Sequence, residues 1–261
     1  MKSLELRRRD WVSTHCVHDY KALIRRWRVV ARQAGLIMRP FARVGEHSLY
    51  VLRSPVRAGE NGLYVSAGIH GDEPAGPWGF LQWAEWKGRA LSEVPVRFFP
   101  CLNPWGLIEN RRSVSTNRDL NRLFDRPSIK PIAAWRREIA GQHFKLGVCL
   151  HEDYDGRGIY VYDLDGNNDS VSARRYLENV ATVDLPVDLR PRIDGRKADR
   201  GVIFRKRIDL RRIPGMPEAV YLRLEGCAER TLTFETPSEF HLYDRVNAHQ
   251  RFLETACRAF F

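Results

Sequence analysis

The sequence contains no long apolar run, and its first residues form no apolar core. No segment approaches the roughly 18 consecutive apolar residues that a membrane-spanning helix needs. Residues 1–10 are charged throughout, unlike a secretory signal. The five cysteines are widely spaced, odd in number and without a Cys-x-x-Cys pair, which is typical of a protein from a reducing compartment. These absences predict a protein of the reducing cytoplasm.

Two common catalytic motifs are also missing. The sequence has no glycine-rich phosphate loop, and it has no Gly-x-Ser-x-Gly elbow to present a nucleophilic serine. Phosphate-loop chemistry and serine hydrolase chemistry are therefore not supported.

Acidic residues are too few to balance the basic ones, and the formal net charge is +11. The basic residues occur in short groups, with no long basic run and no helix-turn-helix or zinc-finger frame. We interpret the charge as a solvated surface, with attraction to anionic partners as the alternative. We expect neither a specific nucleic-acid partner nor a membrane partner.

The chain is long enough, at 261 residues and 43% hydrophobic, to bury a sizeable core. Apolar strand-like runs alternate with segments of helical periodicity, which favours an α/β fold. We predict a single domain, 1–261, with a central mixed, largely parallel sheet flanked by helices. Residues 1–44 supply an N-terminal helix and edge elements, and residues 241–261 a C-terminal helix. The predicted helices are 18–34, 75–87, 130–142, 170–181 and 241–261; the predicted strands lie within 36–53, 63–67, 94–102, 144–150, 159–162, 201–207 and 230–234; loops cover 103–126 and most of 184–217.

Two histidines directly follow predicted strands. His70 comes after the run 63–67 and is followed by Glu73, and His151 ends the run that begins near 144. Functional groups collect at the carboxyl ends of strands in such a sheet, so these three side chains could meet at one metal ion. Two histidines and one glutamate, with a position left open for water, are typical of a catalytic zinc site. Taken singly, each has a simpler interpretation as a surface or core histidine or a helix-capping glutamate.

Two further clusters hold groups suited to amide hydrolysis. Glu235 ends the predicted strand 230–234, and a buried carboxylate there is costly unless it has a partner or a task. Beside a metal it could act as a general base. Asn121 and Arg122 lie in a loop rich in arginine, where they could bind a substrate carboxylate. The alternatives are a sheet-end glutamate paired with an arginine and a solvated basic loop.

The order of these motifs resembles that of the zinc carboxypeptidase superfamily. His-x-x-Glu at 70–73, Asn-Pro-x-Gly at 103–106, Asp-x-Asn-Arg at 119–122, the strand-end His151 and the pair Phe234-Glu235 occur in that family's order. The similarity spans residues 45–240. It implies a zinc cofactor held by His70, Glu73 and His151, with Glu235 as the general base. It also implies that Asn121 and Arg122 bind the substrate carboxylate, and that Asp119 orients His70.

The resemblance leaves two roles open. An arginine upstream of the Asp-x-Asn-Arg element usually stabilises the oxyanion, and either Arg112, which we favour, or Arg111 could fill this role. The family often adds a mobile tyrosine, for which Tyr221 is one candidate.

The resemblance implies a zinc-dependent amide hydrolase. We expect a metallocarboxypeptidase or peptide amidase acting on small peptides with a free carboxylate. The chain length and the Asp-Leu-Asn-Arg motif also resemble those of the succinylglutamate desuccinylase and aspartoacylase branch. An N-acyl-amino-acid deacylase is therefore the alternative. A non-catalytic binding protein on the same fold is a third possibility. The sequence decides neither the oligomeric state nor whether the loop at 184–217 covers the site.

Overall fold

A computed structural model describes residues 3–56, 61–165 and 170–261. The chain folds as a single α/β domain around an eight-stranded sheet, with a small two-stranded hairpin beside it. The helices are α1 (Leu4–Thr14), α2 (Tyr20–Ala34), α3 (Ala75–Lys87), α4 (Pro104–Glu109), α5 (Lys130–Ile139), α6 (Ser170–Val180), α7 (Glu218–Leu224) and α8 (Leu242–Ala256). The strands are β1 (Ile37–Val44), β2 (His47–Arg53), β3 (Gly62–Ala67), β4 (Val96–Phe99), β5 (Phe144–Asp153), β6 (Tyr160–Asp165), β7 (Arg192–Ile193), β8 (Arg196–Lys197), β9 (Val202–Arg205) and β10 (Arg230–Pro237).

The sheet is mixed, and its centre is parallel. The strand order is β1-β2-β4-β3-β5-β10-β6-β9. Strands β4, β3, β5 and β10 are joined by parallel pairings, while β6 runs antiparallel to β10 and parallel to β9. The predicted fold class is confirmed. The subdivision at residues 44 and 240 stays a prediction.

Helices cover both faces of the sheet. On one face, α2, α3, α6 and α8 bury side chains such as Trp27, Trp78, Leu177 and Phe252 in one hydrophobic cluster. On the other, α5 and α7 contribute Trp135 and Leu222 to a second cluster. Central strands covered on both sides lose contact with water along their whole length, which explains why β3 reads as a continuous apolar run.

Local signals at the ends of α2 explain its successful prediction. The Asp19 side chain caps the helix by accepting a hydrogen bond of 2.8 Å from the Ala22 N–H. Gly35 ends it in the left-handed conformation at φ 72°. The observed bounds lie within two residues of the predicted 18–34.

The loop predicted over 103–126 is partly wrong, because residues 104–109 form α4. Asn103 accepts a hydrogen bond from the Gly106 N–H at 2.9 Å, and Pro104 occupies the first turn. Asparagine followed by proline is a common start of a helix, so the signal was present. Helices α1 and α7 were also not predicted. Within residues 3–56, 61–165 and 170–261, no helix is both long and apolar enough to cross a membrane.

Candidate metal centre and active-site cavity

The predicted metal ligands lie at one edge of the sheet. Strands β3 and β5 are neighbours and run in the same direction, so their carboxyl ends meet there. Beyond β3 the chain bends at Gly68, whose φ is +62°, and His70 and Glu73 follow before α3 begins. His151 lies near the end of β5 itself.

His70, Glu73 and His151 form a buried cluster. Their candidate ligand atoms all lie within 4.8 Å of one another. The Glu73 carboxylate lies between the two rings, with Oε1 2.6 Å from Nδ1 of His70 and Oε2 2.9 Å from Nδ1 of His151. Two imidazole nitrogens and a carboxylate facing one another are a donor set that suits a divalent zinc ion. The donor chemistry of the three residues therefore fits the implied cofactor.

Charge organises this cluster. Burial raises the pKa of the Glu73 carboxyl, but His70 and His151 oppose it strongly, and the net pKa lies below the ordinary value. Burial lowers the pKa of His70, but the carboxylates of Glu73 and Asp119 outweigh it and the net pKa is raised. Glu73 is thus held as an anion, ready to bind a cation.

Asp119 contacts the outer nitrogen of the His70 ring. Its Oδ1 is 3.1 Å from Nε2 of His70, which leaves Nδ1 of that ring facing Glu73 and His151. A carboxylate on the outer ring nitrogen fixes the tautomer and the orientation of a metal-binding histidine. Oδ1 also accepts the Asn121 backbone N–H at 2.8 Å, which holds the Asp119 carboxylate in place.

Arg111 and Arg112, the two candidates for stabilising the oxyanion, have different positions relative to the cavity. Arg112 lines the cavity and lies 3.3 Å from both Glu73 Oε1 and Asp119 Oδ2. Arg111 is exposed and does not line the cavity; its backbone carbonyl accepts the Gly71 N–H at 3.0 Å. Geometry therefore favours Arg112 for a role at the reacting atoms.

Glu235 lies beside the metal candidates on the neighbouring strand. In the sheet register it is the partner of His151 on β5 and of Tyr160 on β6. The residue is only 9% exposed and lines the same cavity. Burial raises the pKa of its carboxyl well above the ordinary value; His151 opposes the shift, and the negative charge of Glu73 adds to it.

Asn121 and Arg122 also line the cavity. The Asn121 Oδ1 accepts the backbone N–H of Glu218 at 3.0 Å, so its amide nitrogen remains as the donor. Arg122 donates to the Asn121 carbonyl oxygen at 3.0 Å through one guanidinium nitrogen. Both side chains are thus held near the metal candidates with donors to offer.

Seven of the favoured site residues line one cavity of about 350 Å³: His70, Glu73, Arg112, Asn121, Arg122, His151 and Glu235. Asp119 does not line it but contacts His70. The cavity also contains polar residues that the sequence did not single out: Asp153, Tyr160, Tyr162, Asp194, Arg196 and Arg205. Tyr160, Tyr162 and Leu164 alternate along β6, and this alternation in the sequence indicates that their side chains share one face of the sheet. The two-residue turn Asp194-Gly195, with φ of +47° and +65°, was an available signal for the hairpin β7–β8.

Segment 184–217, whose role was left open, forms one wall of this cavity. Its hairpin contributes Asp194 and Arg196, β9 contributes Arg205, and the following loop contributes Ile213 and Pro214.

Tyr221, one candidate for the mobile tyrosine, does not line the cavity. It lies in α7, where its ring packs edge-on against Trp135 at 5.6 Å and under the Arg136 guanidinium at 5.0 Å. It is 7% exposed and part of the core beneath the sheet. Tyr160 and Tyr162 are the tyrosines that line the cavity.

Two glycines allow the metal loop and α4 to approach closely. A Cβ atom on Gly71 would lie 1.8 Å from the carbonyl carbon of Gly106, a distance that no side chain tolerates. Gly71 belongs to the His-x-x-Glu segment and Gly106 to the Asn-Pro-x-Gly segment. The two motifs are therefore in direct backbone contact in the fold, through these two glycines.

Comparison with known proteins agrees with this geometry. A family model, the succinylglutamate desuccinylase/aspartoacylase catalytic domain, matches residues 60–187. The matched segment contains His70, Glu73, His151 and the 119–122 element but ends before Glu235. No curated protein matches the chain.

Solved structures share the fold. The “putative metallopeptidase” of Shewanella amazonensis SB2B has a TM-score of 0.79 at 23% identity, covering 94% of each chain. The corresponding protein of Shewanella denitrificans OS217 has a TM-score of 0.78 at 22% identity, covering 92% of this chain and 89% of that one. A metallo-carboxypeptidase from Burkholderia cenocepacia has a TM-score of 0.70 at 14% identity, covering 91% and 68%. The family model over residues 60–187 and these folds together support the zinc carboxypeptidase-like superfamily.

Proposed function

We propose that this chain is a zinc-dependent amide hydrolase, a metallocarboxypeptidase or peptide amidase that acts on small peptides with a free carboxylate. The observation that carries the proposal is the convergence of His70, Glu73 and His151 within 4.8 Å, at a cavity that Glu235 also lines. Three protein ligands beside an accessible cavity are the arrangement of a catalytic metal site, whereas structural zinc sites are closed by four.

The chemistry follows from the placement of each group. A zinc ion bound there would supply Lewis acidity and make a water molecule more acidic. Glu235 would accept the proton of the attacking water on its carboxylate and pass it to the departing amine. Arg112 would stabilise the negative charge that develops on the carbonyl oxygen.

Substrate position would be set on the other side of the cavity. Arg122 would bind the substrate carboxylate, and the Asn121 amide nitrogen would add a donor. Because both sit on one short turn held by Asp119 and Glu218, a carboxylate bound there has a fixed distance from the metal candidates. Fixing the substrate in this way lowers the entropic part of the barrier.

A second candidate is an N-acyl-amino-acid deacylase. The family model that matches residues 60–187 favours it. The two activities need the same groups at the scissile amide and differ in the acyl side of the substrate. A non-catalytic binding protein is disfavoured, because the residues implied for metal binding and for proton transfer are present together. Cytoplasmic location and the absence of nucleic-acid and membrane partners remain predictions.

The test combines metal analysis with turnover. Purified protein supplied with zinc should bind one ion and hydrolyse peptides or N-acyl amino acids with a free carboxylate. Glu235→Gln should keep the zinc and lose roughly 10²–10⁴-fold in kcat, the usual contribution of a general base. Glu239→Gln, an exposed glutamate four residues further on and outside the cavity, is the matched control. A folded protein that takes up no zinc, or a Glu235→Gln variant with unchanged turnover, would refute the proposal.

A further inference from the structure

A second cavity, of about 370 Å³, lies at the end of the sheet opposite the metal candidates. Phe144, the first residue of β5, lines this cavity, whereas His151 comes seven residues later in the same strand. Seven strand residues span ~23 Å, so a small ligand in the second cavity does not reach the candidate metal ligands.

Two arginines face each other in this second cavity. Arg53 of β2 and Arg97 of β4 are register partners in an antiparallel pair, and both line the cavity. Side chains at such positions leave the same face of the sheet, with their Cβ atoms about 4.5–5.5 Å apart. Like charges directly opposite each other destabilise a sheet, so the fold holds two positive charges together unfavourably.

No described acid neutralises this arginine pair. Outside residues 1–2, 57–60 and 166–169, which the structure does not describe, neither Arg53 nor Arg97 has an ion-pair partner. Glu138 of α5 is engaged by Arg39 of β1, at 2.6 Å. The Gln142 side-chain oxygen accepts a hydrogen bond of 3.1 Å from Arg97, which orients the guanidinium without neutralising its charge.

Burial makes the position of Arg97 still less favourable. Its Nε is buried and has no hydrogen-bond partner among the described residues. Burial lowers the pKa of the Arg97 guanidinium, and the negative charge of Glu138 opposes this shift. The positive charges of Arg53 and Arg39 lower the pKa further. A partly buried cation beside a like charge is unfavourable unless an anion compensates it.

The rest of the cavity wall is largely apolar. Its apolar members are Ile37, Pro55, Val56, Pro95, Val96 and Phe144. The hydroxyl of Ser54, which also lines the cavity, already accepts the Val96 N–H at 3.1 Å. The volume is within the range of cavities that hold small organic molecules, and a bare anion would leave the apolar wall uncovered.

We infer that this second cavity binds a small organic phosphate monoester. A phosphate monoester carries a charge of about −1.5 to −2 at pH 7 and has three acceptor oxygens, so it can neutralise both Arg53 and Arg97. A carboxylate has a single charge and would leave one guanidinium uncompensated. The apolar wall would hold the organic part of the ligand. This site lies outside the proposed hydrolase function and needs no metal.

Calorimetry on the zinc-supplied full chain at low salt tests the site with phenyl phosphate, inorganic phosphate and benzoate. Phenyl phosphate should bind at least tenfold more tightly than singly charged benzoate, and more tightly than inorganic phosphate, which cannot cover the apolar wall. Arg53→Met and Arg97→Met should each weaken phenyl phosphate binding at least tenfold. Arg32→Met, an exposed arginine of α2 outside the cavity, lowers the net charge equally and should leave binding unchanged.

Thermal unfolding separates loss of binding from loss of folding. Without ligand, Arg53→Met should have a Tm equal to or above that of the wild type, because one of two like charges is removed. Phenyl phosphate should raise Tm in the wild type and not in Arg53→Met, because a ligand that binds only the folded state stabilises it. A wild type that binds none of the three probes would overturn the inference.

A variant of the other cavity shows where the phosphate binds. Arg122→Met alters the candidate active site and should leave phenyl phosphate binding unchanged. Binding that is lost in Arg122→Met but kept in Arg53→Met would place the anion in the candidate active site and overturn the inference. Equal affinity for benzoate, or for inorganic phosphate, would overturn the assignment of a phosphate monoester.

Discussion

Arg245 of the last helix forms an ion pair with Glu152, the residue that follows His151. The Glu152 side chain is fully buried, and its Oε1 accepts the N–H of Ala75 at 2.7 Å, at the start of α3. The Glu152 backbone N–H in turn donates to Glu73 Oε2 at 3.1 Å. One buried pair thus connects α8, α3 and the candidate metal ligands.

Replacing Arg245 should therefore destabilise the fold. Arg245→Met leaves the Glu152 carboxylate buried without its cation, a change that typically costs about 3–5 kcal/mol. Urea unfolding measures the loss. The additional change Glu152→Gln should restore part of it, since the amide carries no charge. Arg251→Met, on the exposed side of the same helix, should change stability by less than about 0.5 kcal/mol. If Arg245→Met and Arg251→Met lowered the free energy of unfolding equally, the Arg245–Glu152 ion pair would make no specific contribution to stability.

Zinc binding should depend on the histidines at the strand ends. His151→Ala removes one of three candidate ligands, so metal content after dialysis should fall from one ion per chain to near zero. Zinc should also raise Tm in the wild type and not in the variant, because a ligand that binds only the folded state stabilises it. His47→Ala on β2 is the control and should bind zinc normally. A full zinc content in His151→Ala would remove that residue from the metal site.

Replacing Arg112, Arg122 or Arg111 should have different effects on kcat and KM. Arg112→Ala should lower kcat roughly 10²-fold or more, as expected for loss of an oxyanion-stabilising donor. Arg122→Ala should chiefly raise KM, because it removes binding of the ground-state carboxylate. Arg111→Ala, next to Arg112 but outside the cavity, should leave both constants nearly unchanged. Steady-state kinetics on one peptide substrate measures all three, and a large effect at Arg111 would reverse the assignment.

His249 should make stability depend on pH. Burial, and then the charge of Arg245, lowers the pKa of this histidine to about 3, against 6.5 for an ordinary imidazole. Between these values only the unfolded chain binds the proton, so stability falls as pH drops below 6.5. Urea unfolding of the metal-free protein between pH 6.5 and 5 gives the free energy of unfolding as a function of pH. The slope of that dependence should correspond to one proton fewer in His249→Gln than in the wild type. An unchanged slope would indicate that His249 titrates normally in the folded protein.

The metal candidates could be found in the sequence because each follows a buried strand. A continuous apolar run ending in His70-Gly-Asp-Glu73, and another ending at His151, identify two carboxyl strand ends before any fold is known. Parallel pairing then brings such ends together. The Gly71–Gly106 contact could not be read in this way, although both glycines lie in recognisable motifs, because the contact depends on how α4 packs on the metal loop.

The cavity wall formed by segment 184–217 could not be predicted from the sequence for a physical reason. Arg205, Asp194 and Arg196 lie in a segment with little apolar periodicity, so nothing local indicates which side chains face inward. Their direction is set by the register of β9 against β6 and by a two-residue turn. Helix α1 was missed on similar grounds, since none of its residues is buried and its apolar pattern is weak.

The reversed direction of β6 has a consequence for how this protein can change. Tyr160 at the beginning of β6 and Glu235 near the end of β10 are held side by side by a short antiparallel ladder, whatever the length of chain between them. Insertions or deletions in that long connection can reshape the wall formed by segment 184–217 without moving the general-base candidate. Related chains can therefore acquire new substrates through changes in the connection between β6 and β10. The pairing of these two strands keeps Tyr160 and Glu235 side by side.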